Sequence, residues 1–187
     1  MALVNGLCFK MEYVDELVKA MSYLAKQNDT FFIGQSVQYS GNSIFGTLKN
    51  IPKKKKIEMP VMEDVQMGMS MGMAMNGLTP ISCFPRFDFI LLAMNQLINH
   101  LDKIQHMSKN QFCPRVIIRT AVGAKKPLDG GPQHTQNYTK MLKSICTEVE
   151  IVELKNKKKI FSKFKKAYES KKRKSYIFIE YTDLYHT

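Results

Sequence analysis

The chain has 187 residues, a formal net charge of +12 and an apolar content of 44%. That length suits one domain with a sizeable core, held together without disulfide or metal staples. No uninterrupted apolar stretch reaches the roughly 18 residues of a membrane helix, and the start of the chain lacks the length and basic residues of a secretory signal.

The four cysteines, Cys8, Cys83, Cys113 and Cys146, show no metal-ligand or redox spacing. They read as free thiols in a reducing, cytoplasmic setting. The positive charge is uneven. One lysine block covers 53–56 and a longer basic stretch covers 155–174. No nucleic-acid reading module accompanies either block, so both read as solvated faces and nucleic acid is not expected as a partner.

In chain order, 12–27 places Val14, Leu17, Val18, Met21 and Leu24 at helical spacing and predicts an amphipathic helix. Residues 30–33 are a β-branched and aromatic strand. Residues 35–52, rich in Ser, Gly and Asn, predict an irregular loop with one turn of helix. A short strand at 57–59 follows. Helices at 63–76, 87–107, 134–146 and 158–172 then alternate with strands at 79–84, 115–120, 149–154 and 175–181. Such alternation predicts an α/β fold with an open, mostly parallel sheet and helices on both faces. Ligands bind such sheets outside the carboxyl ends of the strands. Glu63, Arg86, Asp88 and His134 all follow predicted strands at that end.

Glu63 heads the helix 63–76. The simplest reading is a carboxylate favoured by the helix dipole. Its neighbours add more. Gly68 and Gly72 lie four apart and allow close approach of another backbone. Met67, Met71 and Met75 form an adjoining stripe suited to core or subunit contact. His134 follows Asp129-Gly130-Gly131-Pro132, where the backbone must turn sharply. A histidine there is suited to proton transfer near neutral pH. No histidine has metal-ligand spacing with a cysteine or carboxylate, so no metal site is expected on this chain. There is no Gly-x-Gly-x-x-Gly, no Walker loop and no Gly-Asp-Gly run followed by Asn.

The order and spacing of Glu63, Gly68-Met69-Ser70-Met71-Gly72-Met73-Ala74-Met75-Asn76-Gly77, Phe87-Asp88-Phe89, Gln96-Leu97-Ile98-Asn99, Arg119 and Gln133-His134-Thr135-Gln136 carry a resemblance. They resemble the beta subunit of pyruvate dehydrogenase-type two-oxo-acid dehydrogenases, the pyrimidine-binding domain of the transketolase-like thiamine diphosphate enzymes. The ending 175–185 is similar to that domain's last strand and exit. The resemblance covers roughly 12–185 and implies a single pyrimidine-binding domain over 1–187, with the usual C-terminal transketolase-type domain absent.

The resemblance also implies roles. Glu63 would hydrogen-bond the pyrimidine ring nitrogen para to the 4′-amino group, with Met62 and Phe89 contacting the cofactor. His134 would act as acid or base on substrate or intermediate. Arg86, Gln38 and Lys125 would lie near the substrate. Arg86 stands where small or uncharged residues are common in the family, and 125–129 lengthens the loop before His134. The diphosphate and its Mg2+ would be held by an alpha-type partner chain, with assembly into alpha2beta2. The implied reaction is decarboxylation of a small, pyruvate-like 2-oxo acid with transfer of the resulting unit. Ketol transfer by a split transketolase is the close alternative, and a non-catalytic basic scaffold is the second class.

Overall fold

The protein is described by a computed structural model over residues 12–125 and 129–185. The expectations for Cys8, and for 126–128 of the loop before His134, lie outside the described residues. Among the described residues the strands are β1 (Thr30–Gly34), β2 (Lys56–Glu58), β3 (Thr79–Phe84), β4 (Ile117–Val122), β5 (Glu150–Glu153) and β6 (Tyr176–Tyr181). They form one sheet in the order β2-β1-β3-β4-β6-β5, and every pair is parallel. The expected open parallel sheet is therefore present.

Helices α1 (Tyr13–Ala25), α2 (Ser43–Thr47), α3 (Glu63–Met75), α4 (Ile104–Met107), α5 (Thr139–Ile145) and α6 (Ile160–Glu169) cover both faces. On one face Leu17, Met21 and Leu24 of α1, Ile44 of α2 and Phe164 of α6 pack with Phe32, Ile81, Ile117 and Phe178 of the strands. On the other, Met67 and Ala74 of α3 and Leu142 of α5 pack with Phe84, Ile118, Ile177 and Ile179. Alternate strand residues serve opposite faces, and both sets are apolar. A parallel sheet covered on both sides requires that pattern.

Several boundaries differ from the sequence reading, each for a local reason. The stretch 87–107 is not one α-helix. It is a 3-10 helix over Phe87–Ala93, a π-helix over Asn95–Leu101 and then α4. The buried residues explain the change: Phe87, Ile90 and Ala93 recur every three positions, whereas Ala93, Leu97 and Leu101 recur every four. Spacing of three suits the tight 3-10 turn, and the change to a spacing of four coincides with the change of turn. Helix α5 starts at Thr139, not at His134, because the Asn137 side chain accepts the Thr139 N–H at 3.0 Å and turns the chain there. Strand β4 begins two residues later than expected, and α6 ends at Glu169. One residue links these two changes. The Arg115 guanidinium donates to the carbonyls of Tyr168 and Ser170 and so caps the end of α6. Lys55 pins the turn between α1 and β1, donating to the carbonyls of Gln27, Asn28 and Thr30.

Two clusters around buried charges tie elements together. Arg119 on β4 donates to Glu180 on β6 at 2.6 and 3.0 Å, with both side chains fully buried. Its Nη2 also donates to Thr47 of α2 at 3.0 Å, and the Tyr185 hydroxyl donates to Glu180. Asp102 accepts the backbone N–H groups of Thr147, Glu148 and Val149 at 2.9 to 3.1 Å and pairs with Lys103 at 2.7 Å. Burial opposes its charge, but Lys103 and the three N–H groups outweigh burial and hold the carboxyl well below the ordinary carboxylate range.

Breaking the Arg119 pair strands a buried charge. Glu180→Gln should cost about 3–5 kcal/mol in urea unfolding, and pairing it with Arg119→Met should cost less than the two single changes summed. Asp102→Asn should cost about 1–3 kcal/mol at neutral pH. The Asp102 carboxyl is more acidic folded than unfolded, so its stabilisation is present above the unfolded value and lost as pH falls through the folded one. The gap between wild type and Asp102→Asn should therefore narrow below about pH 4, measured by urea unfolding across a pH series.

Candidate functional site

Parallel strands send every following loop to one rim. Four of those loops, after β1, β3, β4 and β6, line a cleft of about 320 Å³. Gln35 and Ser36 come from the first, Arg86 and Phe89 from the second, Gly123 and Gly130 from the third and Thr182 from the fourth. Asn42 and Ser43 at the start of α2 complete the wall. Arg86 is the one charged side chain among these lining residues.

Glu63 is the first residue of α3 and is 3% exposed. It reaches the cleft wall through Gln35, whose Nε2 donates to Glu63 Oε1 at 2.9 Å. The turn carrying Gln35 is built around another carboxylate. Glu58, at the end of β2, accepts the backbone N–H groups of Ser36 and Gln38, the latter at 2.8 Å. Gly34 precedes the turn with φ 155, and a Cβ there would lie 2.2 Å from the Cys83 carbonyl oxygen. Strand β1 can therefore press its end against β3 only with glycine at this position.

On the opposite side, Gly131 has φ 76, and the Asp129 side chain accepts its N–H at 2.8 Å. This turn delivers His134. The imidazole meets the Phe89 ring edge-to-face at 5.8 Å between centroids. Arg86 Nη1 donates to the His134 carbonyl at 3.3 Å. His134 Nδ1 and both carboxylate oxygens of Asp88 are buried without a hydrogen-bond partner among the described residues. Buried polar atoms left in that state are costly and suit groups that await a ligand.

The structure thus brings Arg86 and Phe89 into the cleft and sets Glu63 and His134 directly behind its wall. Met62 precedes Glu63 and is half exposed. Gln38 and Lys125 are not brought in. The Gln38 side chain donates to the Lys56 carbonyl and lines a separate shallow groove with Tyr39. Lys125 is exposed, and its backbone N–H donates to Asp183. Gln35 and Glu58 went unmarked in the sequence. Gln35 follows a predicted strand, the same position that marks the rim for Glu63, Arg86 and His134. Glu58 carries no such signal, because its role is a backbone contact made by folding.

The small-residue face of α3 stays open. A Cβ at Gly72 would meet nothing within 4 Å, and one at Gly68 only the Gln96 side chain at 3.8 Å. Met67 is buried and Met71 half-buried, while Met75 is exposed, as are Val61, Val65 and Met69.

Comparison with known proteins agrees on one family. The sequence pattern of the transketolase pyrimidine-binding domain matches residues 10–187. The beta subunit of the pyruvate dehydrogenase E1 component from Cyanidium caldarium is 32% identical over 126 residues, 65% of this chain and 38% of that protein. The mitochondrial counterpart from Ascaris suum is 32% identical over 144 residues, 74% of this chain and 38% of its own length. The 2-oxoisovalerate dehydrogenase subunit beta of Bacillus subtilis is 27% identical over 131 residues, covering 68% and 39%. The chain thus spans less than half the length of these curated relatives. Among solved structures, an inactive beta4 tetramer of a split-gene transketolase superposes with a TM-score of 0.66 at 15% identity, covering 91% of this chain and 51% of that one. At that identity the likeness is one of fold.

The Glu58 carboxylate is the only side chain seen to hold the turn N–H groups of Ser36 and Gln38 among the described residues. Glu58→Ala should therefore speed amide exchange at Ser36 and Gln38 by about tenfold or more, with exchange in β3 and β4 unchanged. Hydrogen–deuterium exchange followed by NMR checks this directly.

Proposed function

The chain belongs to the transketolase pyrimidine-binding domain family, and on that footing we propose that it forms the pyrimidine-facing wall of a thiamine diphosphate site shared with a second chain. The observation that carries this reading is Glu63: a carboxylate 3% exposed, at the head of α3, linked to the cleft through Gln35. When bound, thiamine diphosphate supplies a carbon nucleophile and electron sink for chemistry at a substrate carbonyl. Glu63 shares a proton with the pyrimidine ring nitrogen. Phe89, which lines the cleft, and Met62, which flanks Glu63, offer apolar contact to that ring. His134 is the proton carrier on the opposite wall. Its buried Nδ1, unpartnered among the described residues, fits a group that completes its hydrogen bonding only with a ligand in place. Arg86 orients an anionic substrate group. The proposal gives no role to Gln38 and Lys125, which do not line the cleft.

The reaction class proposed is decarboxylation of a small 2-oxo acid with transfer of the remaining unit, in keeping with relatives named for pyruvate and 2-oxoisovalerate. The diphosphate and its Mg2+ fall to an alpha-type partner. Helix α3 is a suitable contact for that partner. It is buried through Met67 and Ala74 yet still exposes Val65, Met69 and Met75, with the exposed Val61 and Met62 just before it. Exposed apolar side chains grouped on one helix suit contact with a partner.

Glu63→Gln keeps size and removes proton exchange. In the complex assembled with the partner, it should slow exchange of the thiazolium C2 proton by about 10²–10⁴-fold. Cofactor affinity should change far less, and the circular dichroism of the fold should be retained. A folded, cofactor-loaded Glu63→Gln complex that exchanges at the wild-type rate would refute the assignment.

A further inference from the structure

We infer that Gln35 is a positioning residue for Glu63, fixing one carboxylate oxygen so that the other is the one offered to the pyrimidine. The inference rests on the reading of Glu63 given above and adds a residue to it. Three contacts fix the main chain around Gln35. Gly34 sits so close to Cys83 that a Cβ would overlap its carbonyl oxygen at 2.2 Å. Glu58 holds the N–H groups of Ser36 and Gln38. Asn42 Nδ2 reaches the Gln35 carbonyl at 3.5 Å. With its backbone anchored, the side chain spans from the cleft wall to Glu63 Oε1 at 2.9 Å.

The chemistry of the amide sets the consequence. Nε2 only donates, so Oε1 acts as an acceptor and cannot carry the shared proton. An amide also has no acidic proton to pass on, so Gln35 orients without relaying. A freely rotating carboxylate would present either oxygen. One held at Oε1 presents the other in a single direction, and a positioning error near 1 Å is enough to slow a proton transfer substantially.

The test uses the chain assembled with its diphosphate-binding partner and thiamine diphosphate. Gln35→Met keeps the length and removes the donor, and Gln35→Ser is too short to reach. Three readouts are taken: cofactor affinity by calorimetry, C2-proton exchange by NMR, and the circular-dichroism band of the iminopyrimidine tautomer. Both variants should slow C2 exchange by about tenfold, the scale of one hydrogen bond to a charged group, and weaken the tautomer band. Affinity should stay within about twofold. A purely structural role would move affinity and leave the tautomer band of the loaded complex intact. If Glu63→Gln loses exchange while both folded Gln35 variants keep the wild-type rate and band, the inference is overturned and the role of Glu63 stands. If Glu63→Gln itself behaves as wild type, the inference and the reading beneath it are overturned together.

Discussion

Parallel pairing is the constraint from which the rest of the structure follows. With β2, β1, β3, β4, β6 and β5 all running one way, each strand must return across a face, and every outgoing loop opens on the same rim. Burial of both faces then excludes polar residues from most strand positions, and it concentrates the chemistry in the loops that leave the sheet. The cleft draws on four of those loops, and a fifth exit, after β2, leads to Glu63. The shared strand direction brings residues as distant in sequence as Gln35, Arg86, Gly130 and Thr182 to one wall.

Beneath that rim lies a buried polar cluster that holds the floor in place. Arg119 and Glu180 join β4 to β6, Thr47 draws in α2, and Tyr185 closes the chain's exit onto Glu180. Burial and then the neighbouring Glu180 carboxylate push the phenols of Tyr185 and Tyr13 far above their ordinary range. Burial likewise pushes the Cys83 thiol up to about 11. These groups stay protonated: Tyr185 donates to Glu180, Tyr13 accepts the Tyr181 N–H at 3.3 Å, and Cys83 is a packed thiol without nucleophilic character. Helix α2 begins one residue after Asn42, which lines the cleft and lies within reach of the Gln35 carbonyl. The buried cluster therefore steadies the wall that Gln35 occupies.

What was legible in the sequence was whatever periodicity or punctuation encodes. The sheet class, both core faces, the head of α3 at Glu63 and the sharp turn before His134 all followed from such signals. The segment 87–107 was read as one helix because a 3.6-residue template tolerates spacings of three and four, whereas the backbone resolved them into two different turns. His134 was placed at a helix start because glycine and proline mark a break without saying how far the next helix lies beyond it. Asn137, three residues on, decides that. Gln35 and Glu58 depend on contacts across strands, and their partners are distant in sequence, 28 residues apart for Gln35 and Glu63. Pattern reading along one chain carries no information about such pairs. Arg115 shows the same limit, because its capping of α6 joins residues more than 50 apart.

The charge distribution bears on how the proposed site divides its work. The chain carries +12, yet its cleft wall holds a single charged side chain, Arg86. The lysines of the 155–174 stretch sit elsewhere and are in part engaged. Lys155 and Lys143 pair with Glu153, which with Tyr181 they hold down to about 2, while Lys163 donates to the Glu153 carbonyl. Helix α6 meanwhile packs Ile160, Phe164 and Ala167 inward. A nearly neutral wall suits a neutral aminopyrimidine, because a strong local field would favour one protonation state of the ring over the proton sharing that Glu63 is proposed to perform. The anionic end of the cofactor needs the opposite, a dense set of cationic or metal-bearing ligands. Under the proposed division, separating the two demands onto two chains would let each wall keep the field its own half requires. The exposed apolar side of α3, next to Glu63, is where those walls would meet.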